Sequence, residues 1–110
     1  MEYDVNELRV IFNTARQLAS DAAKQELNRT GHVGSCGFAW VELRGIKGNT
    51  KLGRTLKKLG ITQGWNRVFS VWNPSGCATQ SMHVLEKGAI AYANYLKTHG
   101  FNAVACSRMD

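Results

Sequence analysis

No run of apolar residues approaches the ~18 needed to cross a bilayer. The opening stretch, MEYDVNELRV, is acidic and polar where a secretory leader would be basic and then apolar. The sequence therefore predicts a cytoplasmic protein with no membrane association. Cysteine is scarce: Cys36, Cys77 and Cys106 make an odd number with no CxxC pair, which predicts free thiols, mostly buried, and no disulfide frame. His32, His83 and His99 show no HxH or HxxxH spacing, so neither a metal site nor a cofactor is expected. The Walker pattern G-x-x-x-x-G-K-[ST] is missing. No repeat or low-complexity segment divides the 110 residues, a length that suits one domain with its own core.

A catalytic nucleophile is also lacking where one is suggested. GSCGFAW, residues 34–40, is close to the thiol-protease signature C-G-[SA]-C-[WY], but in that alignment Ala39 occupies the reactive position. A reactive cysteine gains acidity at a helix N-terminus, whereas CGFAWVEL is rich in β-branched and aromatic residues and predicts a strand. No catalytic residue is assigned, although Cys36 or Cys77 beside His83 would be the pair for a small hydrolase.

The absence that carries most information is of acid. Between Arg44 and Arg67 stand Arg44, Lys47, Lys51, Arg54, Lys57, Lys58 and Arg67 with no Asp or Glu, while the rest of the chain nearly balances, so the net charge of +6 comes from this one segment. A localised excess of this kind points to an anionic partner.

Apolar spacing predicts three helices. The first runs from about Asp4 to Asn28, with Asp4 as N-cap and Glu7 three residues on. The second lies in NTKLGRTLKKLG, with Asn49 or Thr50 as cap, Leu52, Leu56 and Leu59 as its inner stripe and Gly60 as its end. The third spans Ser81 to His99 and stops at Gly100. Gly88 inside it marks a place of close packing. Strands are read in CGFAWV, RVFSVW and FNAVACS. The first has no polar face, which suits a sheet covered on both sides. The expected fold is thus α/β (or α+β), ordered α-β-α-β-α-β, with a three-stranded, mainly parallel sheet flanked by helices. Its open edges would suit a homodimer.

On the second helix Lys51, Arg54 and Lys58, with Lys47 by extension, fall opposite the leucine stripe. A solvated face usually mixes acids with lysines; this one holds none, which favours phosphate contact over mere solvation. Ahead of it, Gly45 and Gly48 with Asn49 and Thr50 form either an ordinary glycine-rich turn or, as the second reading, a loop whose backbone N–H groups meet phosphate at the helix start. Trp65, beside Arg67, is either an exposed ring for base stacking or a lid folded onto the core; Trp40 and Trp72, on strands, are expected in the core. In a parallel sheet the strand-end loops share one edge, so Arg44 and Lys47, the Asn73–Ser75 loop, and Ser107 with Arg108 would converge there.

CGFAWV, VWNPSG…TQSM and SRMD together resemble a group of small uncharacterised proteins of tailed bacteriophages, over residues 32–110. The resemblance implies an accessory product for host takeover or evasion of defence and carries over no site residue. The leading expectation is a non-enzymatic module that binds nucleic acid through Arg44, Lys47, Lys51, Arg54, Lys58 and Arg67, with Trp65 stacking. The alternatives are a sponge for a small nucleotide signal, held by Arg108 and the Asn73–Ser81 loop, a basic inhibitor docking on an acidic host protein, and the small hydrolase above.

Overall fold

A helix start needs its free N–H groups satisfied, and Asp4 does this for α1 (Val5–Thr30) by accepting the Glu7 N–H at 2.8 Å. The buried stripe of α1 passes from Leu8, Ile11 and Phe12 to Ala15, Ala19 and Ala23. The small residues let α3 (Met82–Thr98) approach closely. A Cβ on Gly88 would stand 3.2 Å from the Ala19 carbonyl oxygen and 2.7 Å from the Ser75 Cβ, so the expected close packing is present. Between them in sequence lies α2 (Lys51–Lys58), capped by the Thr50 hydroxyl, which accepts the Gly53 N–H. Past its end, Gly60 takes a left-handed φ of 86° and the Ile61 N–H returns to the Leu56 carbonyl, a glycine stop. All three helices are close to the spans expected from sequence. These features come from a computed structural model, which describes residues 3–31 and 34–110; His32 lies outside the described residues.

The strands are β1 (Gly37–Leu43), β2 (Thr62–Gln63), β3 (Phe69–Trp72) and β4 (Ala103–Met109), in the spatial order β2-β3-β1-β4 with every neighbouring pair antiparallel. The expected three-stranded, mainly parallel sheet is thus corrected to four antiparallel strands, and the fold is α+β. The β-α-β crossovers do yield parallel strands, β1 with β2 and β3 with β4. The β2–β3 hairpin interleaves them, however, so that no parallel pair is adjacent, the split β-α-β arrangement. With two residues, β2 is too short to show an alternation in the sequence.

Only one face of the sheet is covered. Ala39, Val41 and Leu43 of β1, Phe69 of β3 and Ala103 of β4 are buried with Leu8, Phe12, Leu85, Ala89, Tyr92, Leu96 and Phe101 in a single core. The register sets the other face: Trp40 lies opposite both Trp72 and Cys106, and Phe38 opposite Arg108. Trp72 is 60 % exposed there, so the expectation of a sheet covered on both sides, with Trp72 and Trp40 in the core, is overturned.

Candidate nucleic-acid interface

The open face carries a row of rings on its two central strands. Trp40 and Trp72 stack with ring centroids 5.5 Å apart and planes 15° from parallel, and Phe38 sits 5.6 Å from Trp72 at 36°. The Arg108 guanidinium lies 5.9 Å from the Phe38 ring centroid, within cation–π range. Glu42 accepts the Trp40 indole N–H at 3.2 Å and pairs with Arg44 at 3.0 Å, so this carboxylate fixes a ring and is itself paired with a cation. Cys106 faces Trp40 across the β1–β4 pair. Burial and then the Glu42 charge push its thiol pKa up, against the pull of Arg44, which favours the protonated thiol over the thiolate.

The β2–β3 hairpin adds a further ring. Its tip is a tight turn in which the Arg67 N–H donates to the Gly64 carbonyl at 2.9 Å and the Gly64 N–H to Val68 at 3.0 Å. The Asn66 side chain accepts the Val68 N–H and the Gln63 amide donates to the Arg67 carbonyl. Arg67 closes the turn at φ 62°, a left-handed position that favours glycine. On this braced turn Trp65 is 97 % exposed. It lines a groove of about 380 Å³ together with Trp40, Trp72, Ser70 and Arg108. Two residues expected from sequence, Trp65 and Arg108, are therefore brought together, beside rings that the sequence reading had put in the core.

No protein-family model matches the chain, and neither does a curated protein or a solved structure.

The remaining expected groups divide among separate places. Lys47, Gly48, Asn49 and Arg67, joined by Lys57, line a shallow basin at the start of α2. Part of its donor capacity is spent internally: the Lys57 ammonium donates to the Gly48 carbonyl, Arg54 to the Asn49 carbonyl, and the Thr50 hydroxyl to the Lys47 carbonyl. Lys51 and Arg54 are exposed on α2, and Gly45 makes the turn after β1 at φ 80°. Lys58 and Asn73 line a third cleft, with Arg9 and Arg16 of α1.

The convergence of three loops at one sheet edge is not observed. Because β1 and β3 are antiparallel, the Arg44–Thr50 segment leaves one end of their pairing and the Asn73–Ser75 turn the other, where the Asn73 N–H donates to the Ala39 carbonyl; residues 40–43 of β1 lie between them, roughly 15 Å. Ser107 and Arg108 belong to β4 and not to a loop. Ser107 donates to Glu86 of α3, while Arg108 is on the open face. The Ser75 hydroxyl is buried inside its own turn, bonded to Asn73 and to the Cys77 N–H. The thiols are free as expected but less buried: Cys36 is exposed and Cys77 and Cys106 half-buried. The His83 Nε2 lies 3.4 Å from the Glu26 carboxylate. Among the described residues no group of His, Cys, Asp and Glu could hold a metal ion, and no helix is long and apolar enough to cross a membrane.

The sequence reading missed Phe38, Trp40 and Trp72 as an exposed platform, and missed Arg9 and Arg16 entirely. Aromatic residues on a sheet face read alike whether a helix or a ligand covers them. Arg9 and Arg16, seven apart on α1, share one helix face, a signal the sequence did contain.

Proposed function

We propose that the protein is a non-enzymatic module that binds single-stranded nucleic acid across the open face of its sheet. The bases stack on Trp72, Trp40, Phe38 and Trp65, and Arg108, Arg67 and Lys47 meet the phosphates. The observation that supports this reading is the groove shared by Trp65, Trp40, Trp72 and Arg108, with its single carboxylate already paired. Sheets with aromatic rings on an open face bind single strands in this way, because every base presents a π-face and only an unpaired base can be splayed onto a ring. An exposed apolar patch with cations at its edge marks an interaction site. Relative to the expectation from sequence, the centre of binding moves from the outer stripe of α2 to the sheet, and Arg54 and Lys51 become peripheral. A role beside phage or host nucleic acid fits both this reading and the resemblance described above.

The test is retention of fluorescently labelled oligothymidine and oligouridine as salt is raised. About three phosphate contacts to a single strand give a log–log slope of about −2. A duplex of the same sequence should bind more weakly, since its bases cannot reach the rings. No salt-sensitive binding of any single strand at low ionic strength would refute the proposal.

A further inference from the structure

A second concavity lies on the opposite side of β3, and its origin is a gap in the fold. The two-residue β2 pairs only with Phe69 and Ser70, leaving the outer edge of β3 uncovered from Val71 onward. The eight-residue α2 ends before it can fill the space. What remains is a cleft of about 400 Å³ between α1, the end of α2 and the turn after β3. That volume is within the range of small-molecule sites.

Its chemistry has two parts. Phe12, Leu59, Ile61, Val71 and Tyr92 make an apolar floor. Arg9, Asn13 and Arg16, at i, i+4 and i+7 on α1, form one rim and face Lys58 and Asn73. No lining residue is acidic, and Arg9, Arg16 and Lys58 pair with no carboxylate among the described residues. Arg16 reaches across to the turn after β3: its Nη2 lies 3.6 Å from where a Cβ on Gly76 would sit. It also acts on the Tyr92 hydroxyl, whose pKa burial drives far up while Arg16 pulls the other way, so Tyr92 stays a neutral donor. Three cations with no carboxylate partner among the described residues, Arg9 donating to the Asn6 side-chain oxygen at 3.2 Å, stand over an apolar floor; they call for an anion attached to a ring, since an inorganic anion would leave the floor unused.

We propose that this cleft binds a nucleoside phosphate, with the phosphate held by Arg9, Arg16 and Lys58 and the base laid on the floor against Tyr92 and Val71. Trp72 lines both this cleft and the groove on the open face. The same chemistry can therefore arrive as a free nucleotide or as the 5′-phosphorylated end of a strand lying on the sheet.

Calorimetric titration with AMP, adenosine and inorganic phosphate tests the site, using the wild type, an Arg9→Gln/Arg16→Gln variant and a Trp65→Ala variant. Both arginines are exposed on a helix, and Gln matches Arg in helix propensity, so the double variant should melt with the wild type. For a free nucleotide, AMP binds one-to-one and adenosine at least about tenfold more weakly. The double variant then loses about tenfold for each charge-assisted contact removed, and Trp65→Ala has no effect. For a strand end, AMP is weak, but a 5′-phosphorylated oligothymidine outbinds its unphosphorylated counterpart and the double variant erases that difference. Absence of both AMP binding and a 5′-phosphate effect, or AMP binding unchanged in the double variant, overturns the proposal. Binding of unphosphorylated oligothymidine would survive that outcome, so failure of the cleft and failure of the open face are distinguishable.

Discussion

Trp65→Ala separates binding from stability. With 97 % of its surface exposed, the ring removes from water only a few per cent of the roughly 250 Å² a tryptophan can bury. At about 25 cal/mol per Å², truncation costs the fold only ~0.2 kcal/mol. By contrast, Trp72 is 60 % exposed and stacked on Trp40. Its truncation removes roughly 100 Å² of burial and ~2.5 kcal/mol, so a loss of binding there would be ambiguous. One lost base-stacking contact is worth about 1–3 kcal/mol, a roughly 5- to 150-fold rise in Kd. Fluorescence anisotropy with labelled oligothymidine reads the affinity and urea unfolding reads the stability. The salt slope should not change, because stacking releases no counterions. Unchanged affinity in a folded Trp65→Ala protein would refute the stacking role. A stability loss above ~1 kcal/mol would show that the ring packs on the protein, against the geometry described.

Other substitutions test the parts that position this face. Arg67→Gly removes a side chain from a left-handed turn position (φ 62°). It should raise stability by about 1 kcal/mol while flattening the salt slope by about 0.7, read by urea unfolding and by the binding titration. Gly88→Ala should destabilise by about 1–3 kcal/mol despite alanine's better helix propensity, since the added Cβ meets Ser75 and the Ala19 carbonyl; thermal melts check this. The Glu7 N–H holds the Asp4 carboxyl below its usual pKa. Its stabilising effect is therefore present above the ordinary carboxylate value and is lost as pH falls through the depressed one. Asp4→Asn, which still caps, should show a smaller drop in Tm than the wild type between neutral and acidic pH.

The helices were legible because each carries its own signals: Asp4 and Thr50 as caps, Gly60 and Gly100 as stops, and apolar residues at helical spacing. The sheet was not, since pairing is non-local. The rule that a β-α-β step gives parallel strands held for β1 with β2 and for β3 with β4. Adjacency, however, was decided by a hairpin whose first strand, Thr62–Gln63, has no readable pattern. That error propagated to the site. With a parallel sheet, Arg44, Asn73 and Arg108 would share an edge; with the antiparallel one, Trp65 and Arg108 meet on a face with Trp40 and Trp72. The basic composition of residues 44–67 did indicate the class of partner now proposed. The platform itself stayed hidden because CGFAWVEL, apolar on both faces, reads as a strand covered on both sides.

The central claim is that the open sheet face, and not the outer stripe of α2, meets the bases. The chain has three tryptophans, and Trp40, Trp65 and Trp72 all line the one groove, so their indole N–H signals report on that face, with Trp40 and Trp65 reporting on it apart from the cleft that Trp72 also borders. In a 15N–1H NMR titration with oligothymidine, all three indole signals should shift together and saturate at one common Kd, with the backbone amides of Lys51 and Arg54 shifting least. Saturable binding that leaves the three indole signals in place while the α2 amides move would contradict the account.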